Sequence, residues 1–473
     1  MAAGETATPG ETCDIARRYN MRHGRFCELR PWLIECLGRE IGCIVTVGNA
    51  NLCGIKNMPR SFALPIRRRT LLGGALAWSA ATIAAPLPVR ARGEASIKLG
   101  MVEPLTGAYA KLAAAEVDGA RLALEEVNQA GGILGREVEL LVEDSANDAD
   151  TGIVKTKELI DRDQADFILG NVNSAVALAM ARVTNERRKL HIVTGGHTDE
   201  ITGSRCRWNV FRICKSATME ANAIADTLIE KFGKKWYFLT PDYAYGYALQ
   251  AAFEQKLRQH GGEWGGSLIP LGTVDYSRFL LDAGAYRPKV LINIMGGDDQ
   301  ARSLDQIAQF GMAQDMAVGG ALFELESILS VSDSARVGWW TMEWWWNQPD
   351  VPQVKAFDDT VRKRSNRAAS ARDWFGYAAV RTLAAVANQE KSLDPVVLAR
   401  ALQGFTLPPD IALGTGKTFF RNSDHQLMSP ILVGEVHPPK DDPFDVFTVR
   451  AVVEGEKAAG PANANQCRLE FPS

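Results

Sequence analysis

The sequence predicts an α/β protein: two doubly wound parallel-sheet lobes joined by a multi-strand hinge. Three observations lead there. From residue 96 the chain repeats one unit, a short apolar strand, a polar or Gly-rich loop and an amphipathic helix. The pattern breaks near residue 212 and restarts, so one run of units becomes two. Past residue 347 a helical pattern returns over 372–404 and a strand over 430–434, so the chain crosses between lobes more than once. Strands alternating with helices imply parallel sheets covered on both faces. A length of 473 residues also exceeds one ordinary core. The expected boundaries are 94–212 with 347–425 for lobe one, and 213–346 with 426–473 for lobe two.

Taken in order, "IKLGMV" is the first strand, and the loop "EPLTGAYAKL" leads into a helix carrying Val117, Ala120, Leu124 and Val127 on one face. Gly131-Gly132 ends that helix, because glycine tolerates the left-handed conformation found there. "REVELLVEDS" is the next strand, with Asp150-Thr151 capping the following helix. "DFILG" runs through Asn171–Ser174 into an Ala/Val/Leu helix, and "LHIVTGG" is a further strand. In the second run, "KWYFLTPDYAYG" precedes a helix ending at Gly261-Gly262, and "KVLINIMGGDDQ" one ending near Gly311. "AVGGALFE" and "VGWWTMEWWW" read as strands. Strict alternation would put Trp339, Thr341, Glu343 and Trp345 on one face, and Trp340, Met342, Trp344 and Trp346 on the other.

Charge is divided along the chain. Residues 1–93 carry 13 Lys and Arg against 6 Asp and Glu, and the remainder 40 against 50. A basic leader before an acidic body fits export; nucleic-acid binding would need a basic face on the folded part. Arg67-Arg68-Arg69-Thr70-Leu71-Leu72 opens a mild Ala- and Gly-rich apolar stretch, too short for a membrane span and similar to a twin-arginine signal peptide. The expectation is a signal peptide over 58–93, cleaved after Val89-Arg90-Ala91. Translation would then begin at Met58, with residues 1–57 a wrongly assigned upstream extension. The rival for 1–57 is a small cysteine-bearing module, since five of the eight cysteines lie there, though without C-x-x-C spacing. The mature body keeps Cys206, Cys214 and Cys467. An oxidising periplasm favours one disulfide, Cys206 with Cys467 or alternatively Cys206 with Cys214.

Catalytic signatures are scarce. "GTGKTFF" lacks the first glycine of a phosphate loop, because Ile411 stands in its place. Gly131–Gly135 follows a helix rather than a strand and so is no dinucleotide fingerprint. There is no G-x-S-x-G or H-E-x-x-H, and His191, His197, His260 and His425 are scattered without metal-like pairing. Neither an enzyme, a metal nor a cofactor is expected.

The segments "PLTGAYAKLAAAEVDGARLALEEVNQAGGILGREVELLVEDSANDA", "FILGNVNSAVALAMARVTNERRKLHIVTGGHTDEIT", "FRI", "TPDYAYG" and "GKTFFRNSDHQLMSPILVGEV" resemble, in order and spacing, periplasmic solute-binding proteins of the leucine/isoleucine/valine-binding type. The resemblance covers roughly residues 96 to 450. It implies the type I periplasmic binding protein fold, with a solute held at the carboxyl ends of the strands between lobes that close like a hinge. By position it implies that Asn173 and Ser174 meet the ligand's carboxylate or equivalent oxygen. Gly195, Gly196 and His197 would add contacts, although the family often has Thr where His197 stands. Tyr245, with Tyr243 beside it, matches an aromatic lining the cleft; Asp298, Phe323 and Glu324 follow second-lobe strands, and either Asp298 or Glu324 would take an ammonium. Leu112 stands where an aromatic is common, and Ala113 replaces a common Gly, which argues against assuming a branched-chain amino acid.

The implied function is the substrate-binding component of an ABC importer for an amino acid, small amide or aromatic carboxylate. Such a component is periplasmic, a monomer, and partnered by permease and ATPase subunits. The rivals are a periplasmic sensor feeding a regulator or receptor kinase, and a periplasmic enzyme. The tryptophan run reads mainly as a strand buried on two sides, with Trp345 or Trp346 as a candidate ring to stack on a flat ligand.

Overall fold

The computed structural model describes residues 95–348, 351–462 and 466–472. The segments 1–57 and 58–93, with the twin-arginine motif, lie outside the described residues. The first lobe is a parallel sheet of β1 (Ile97–Glu103), β2 (Val138–Asp144), β3 (Phe167–Leu169), β4 (His191–Val193) and β5 (Val210–Arg212), in the order β2-β1-β3-β4-β5. Helices α1 (Ala110–Gln129), α2 (Ala149–Lys157) and α3 (Ser174–Glu186) connect its first strands. Six of the seven residues of β1 are buried, as a strand covered on both faces requires. The cap of α2 is Asp148, whose carboxylate accepts from Thr151 N at 2.8 Å, two residues before the cap expected at Asp150. Asp148 has the extended backbone of a capping residue, whereas Asp150 already lies inside the first turn.

The second lobe begins with α4 (Ala217–Phe232) and continues through β6 (Lys235–Pro241), α5 (Ala244–Gln259), β7 (Glu263–Ile269), α6 (Ser277–Tyr286), β8 (Val290–Asn293), α7 (Gly297–Gln309), β9 (Ala317–Gly319), α8 (Leu325–Ile328) and β10 (Trp339–Met342). The chain then supplies α9 (Pro352–Ser365), α10 (Ala371–Glu390) and α11 (Pro395–Leu402), which share the first lobe's core. A short hairpin of β11 (Phe419–Phe420) and β12 (Leu427–Met428) precedes β13 (Ile431–Val436) and β14 (Phe447–Val453). The second sheet runs β14-β13-β10-β9-β8-β6-β7. Its five strands from β6 to β10 are parallel, but β13 and β14 join antiparallel, so this sheet is mixed rather than wholly parallel.

Three connections cross between the lobes, after β5, after β10 and before β13, and polar groups tie them together. Arg212 N donates to His425 O at 3.1 Å, and Arg212 Nε to Gln426 Oε1 at 2.6 Å. Gln426 Nε2 donates to Cys214 O at 2.8 Å. The end of the segment expected in lobe two returns to lobe one: Cys467 is disulfide-bonded to Cys206, and the Phe471 ring lies 6.0 Å from that of Trp208. Cys214 is a buried free thiol.

The tryptophan run departs from strict alternation. The strand stops at Met342, and the chain turns there, so the remaining rings go to different places. Trp344 Nε1 donates to Leu413 O at 2.6 Å, and its ring meets Phe357 edge-on in the first lobe's core. Trp345 packs on Phe447 in the second lobe's core, and the Arg362 guanidinium lies 4.5 Å over the Trp346 ring. Each indole therefore fills a core or covers a crossover.

Candidate functional site

The lobes face each other with the carboxyl ends of their parallel strands, where a doubly wound sheet places its ligand. A cavity lies between them. The first lobe lines it with Tyr109 and Leu112 after β1, Val172 after β3, His197 after β4, and Arg372 at the head of α10. The second lobe contributes Tyr243 and Tyr245 after β6, Gly296 after β8, and Leu322 and Glu324 after β9. The open space is about 20 Å³, room for one or two waters, so a ring-sized solute requires the lobes to part.

A helix crossing fixes the main cation. Gly119 of α1 and Gly376 of α10 face each other so closely that a Cβ on either would overlap a carbonyl oxygen of the other helix, that of Asp373 or of Glu116. This approach puts Glu116, one turn before Gly119, beside Arg372, one turn before Gly376. Arg372 Nη1 donates to Glu116 Oε1 at 2.6 Å, while Nε donates to Glu324 Oε1 from the opposite lobe. Thr194 Oγ1 donates to Glu116 and, at 3.3 Å, to Glu103 Oε1, and Val172 N donates to Glu103 Oε2 at 3.0 Å. Burial, with the neighbouring Glu116, pushes the Glu103 carboxyl well above its usual range. Against burial, Glu324 and Glu116 hold Arg372 well above its ordinary value, so it stays charged. Burial raises Glu324 to about 7 although Arg372 pulls it down.

A second polar cluster adjoins the first. Glu343, just past β10, accepts from Lys215 N at 2.7 Å and from His197 Nε2 at 2.5 Å, and Lys215 Nζ lies 3.5 Å away. Despite burial, Lys215 and His197 hold the Glu343 carboxyl down to about 2. Burial lowers His197, so at neutral pH it is a neutral imidazole donating through Nε2 to an ionised Glu343. Burial likewise raises the phenols of Tyr109, Tyr243 and Tyr245 and keeps them neutral. The Tyr109 and Tyr243 hydroxyls meet across the cleft at 2.7 Å, and Tyr245 sets its ring edge-on to His197 at 5.9 Å.

Of the residues expected at the site, Leu112, His197, Tyr243, Tyr245 and Glu324 line the cavity. Phe323 packs on Trp340, 4.7 Å between ring centres, in the adjoining core. Asp298 sits at the rim, where it binds Lys111 of the other lobe at 2.9 Å. Gly195 packs against Arg372 and Glu116, and Gly196 O accepts from Arg212 Nη1 at 3.3 Å. Asn173 and Ser174 do not line the cavity. The Asn173 side chain caps α3, accepting from Ala175 N at 2.8 Å, and Ser174 Oγ accepts from His197 N at 3.0 Å and Thr198 N at 3.1 Å. Their polar atoms shape the loops that carry the site. Tyr109, Val172, Gly296, Leu322 and Arg372 also line it, with Glu116 and Glu343 behind, and none was expected there from the sequence. Tyr109 follows the first strand in the loop "LTGAY", a position that could have flagged it; Arg372 carries no such signal.

A family model described as a periplasmic binding protein matches residues 96–442. A Leu/Ile/Val-binding protein of Rhizobium johnstonii is 31% identical over 182 residues, which is 38% of this chain and 49% of that protein. A Leu/Ile/Val-binding protein homolog of Brucella melitensis biotype 1 is 27% identical over 71% of this chain and 91% of its own length. Among solved structures, a periplasmic binding protein from Burkholderia mallei superposes with a TM-score of 0.74 at 24% identity, covering 79% of this chain and 98% of that one. A solute-binding protein of an ABC transporter from R. palustris, in complex with benzoate, gives 0.70 at 20% identity, covering 79% and 100%. Two doubly wound lobes facing a cleft, and a family match over most of the chain, agree: the chain belongs to the periplasmic binding protein family.

Proposed function

We propose that the chain is the substrate-binding component of an ABC importer, exported through the twin-arginine route, which captures a small solute between its lobes and presents the closed form to a permease and its ATPase subunits. The solute is an amino acid, a small amide or an aromatic carboxylate. One observation carries the reading: both lobes contribute to a cavity at their strand ends, and cross-cleft bonds such as Tyr109 to Tyr243 join the lobes in this shut form. Binding then shifts the population toward the closed form by its differential affinity for it. The binding set comprises the cavity-lining residues, with Asn173 and Ser174 acting through the loops they hold. The R. palustris protein with benzoate bound supports including aromatic acids.

A thermal-shift screen with leucine, benzamide, urea and benzoate tests this. A solute at a hundred times its dissociation constant adds about 2.7 kcal/mol to the folded state, enough for a clear rise in midpoint. No shift with any of these classes would count against solute capture. A shift abolished by Tyr245→Ala would support the cavity as its place.

A further inference from the structure

We propose that this cleft selects a small aromatic carboxylate, whose carboxylate takes the place of Glu324 on the Arg372 guanidinium while Glu324 takes up one proton from solvent. The inference rests on the solute-capture reading and names its substrate class.

The geometry supplies the argument. Among the described residues Arg372 is the only Lys or Arg lining the cavity, and Glu116 holds its Nη1 from behind at 2.6 Å. Its Nε points across the cleft to Glu324, which belongs to the other lobe and leaves when the lobes part. An opened cleft therefore presents a fixed, oriented guanidinium, suited to a carboxylate. An ammonium would instead face that cation, and the acid meant to receive it is already on Arg372. Around the charge, Tyr109, Tyr243 and Tyr245 with Leu112, Val172 and Leu322 give rings and apolar walls of the kind that hold a flat ring.

The proton follows from charge. Once the ligand's anion occupies Arg372, an ionised Glu324 would stand beside a second carboxylate in a buried site without its counter-ion. Glu324 relieves this by becoming a neutral acid that can donate to the ligand. Its carboxyl, at about 7 while paired with Arg372, rises further when that partner is taken. The groups facing Glu324 are Arg372 from α10, Glu326 of its own segment, Glu343 past β10, Glu220 from α4, Tyr243 and Tyr245 at the start of α5, and His197 after β4. Glu343 stays ionised, and the tyrosines and His197 stay neutral, at neutral pH. Burial raises Glu220 and Glu326, so a variant must separate them from Glu324.

Isothermal titration of the full chain with benzoate, at pH 6 and pH 8 and in buffers of different ionisation enthalpy, tests the proposal. The expected result is binding that weakens about tenfold from pH 6 to pH 8, with close to one proton taken up at pH 8. Glu324→Gln should bind benzoate with an affinity that is flat over this range and without that proton. Arg372→Lys should lose most benzoate affinity. Benzoate binding by the wild type without proton uptake at pH 8 overturns the proposal, and needs no variant to fold. An unchanged pH slope in a folded Glu324→Gln also overturns it and moves the proton elsewhere. Failure of benzoate to bind while leucine or benzamide binds overturns the substrate class and leaves solute capture standing. Failure of all three to bind overturns both.

Discussion

Glu343 shows how one buried carboxylate can hold a hinge together. It receives Lys215 and His197 from chain past the first lobe's strands, while itself following β10 of the second. Because Lys215 is fully buried, it has no water to fall back on if this partner goes. The Glu343 carboxyl lies at about 2 in the folded protein against an ordinary 4.5. A depressed acid contributes stability that is present in full above the unfolded value and lost as pH falls from about 4.5 through about 2. The shift corresponds to roughly 3 kcal/mol. Glu343→Gln should therefore cost roughly that much in urea denaturation at pH 7, with the gap to wild type narrowing as pH falls from about 4.5 toward about 2. A gap that stays constant down to pH 2.5 would mean that shape, not charge, was lost. The same residue bears on why Trp344–Trp346, read from the sequence as part of a strand, are not in one. The chain leaves the sheet after Met342, Glu343 engages Lys215 and His197, and three indoles then follow a turn rather than a pleat.

Among elements, the α1–α10 crossing carries most of the site's precision. Gly119 and Gly376 let the two backbones touch, and Glu116 and Arg372 meet one turn away from them. Gly376→Ala adds a methyl where the Glu116 carbonyl oxygen already stands, so the helices must separate. Overpacking of this kind costs about 1–3 kcal/mol, and separation also stretches the Glu116–Arg372 pair. The expected outcome is a lowered melting temperature together with weaker solute binding by calorimetry. Weakened stability with full affinity would show that Arg372 does not depend on this crossing. How the site was legible follows the same line. His197, Tyr243, Tyr245 and Glu324 were pointed to by the family resemblance, and each lies just past a strand at the mouth of the cleft. Arg372 and Glu116 are 256 residues apart, and their meeting depends on how two helices cross, which no periodicity within either helix encodes. Local alternation also missed the antiparallel β13 and β14, because direction within a sheet is set by how the chain arrives and not by the strand's own residues.

For the whole molecule, closure is a sum of modest cross-cleft contacts acting against a restrained hinge. Asp298 N donates to Ala108 O at 2.9 Å, Lys111 pairs with Asp298 at 2.9 Å, and Arg372 meets Glu324. The rim pair is partly exposed and so worth little, about 0–1 kcal/mol; the buried Arg372–Glu324 pair is offset by its own desolvation, which raises Glu324 despite Arg372. The three crossing connections are joined by a fourth restraint, since Cys467 brings the end of the chain from the second lobe back to Cys206 in the first. The bonded residues are 261 apart in sequence, so the bridge closes a very long loop in the unfolded chain. Chain entropy alone gives about 5.6 kcal/mol for a loop of that length, an upper value because reduced chains keep some structure. Contacts of Phe471 with Trp208, and of Arg400 at 4.4 Å over the Phe471 ring, hold the same tail without the bond. Cys467→Ser should therefore lower the melting temperature markedly while the tail stays docked at room temperature. Limited proteolysis should then cut near residue 466 only on warming, before the global transition. A variant with an unchanged melting temperature, or one cut there in the cold, would show respectively that the bridge contributes no stability or that the ring contacts hold nothing without it.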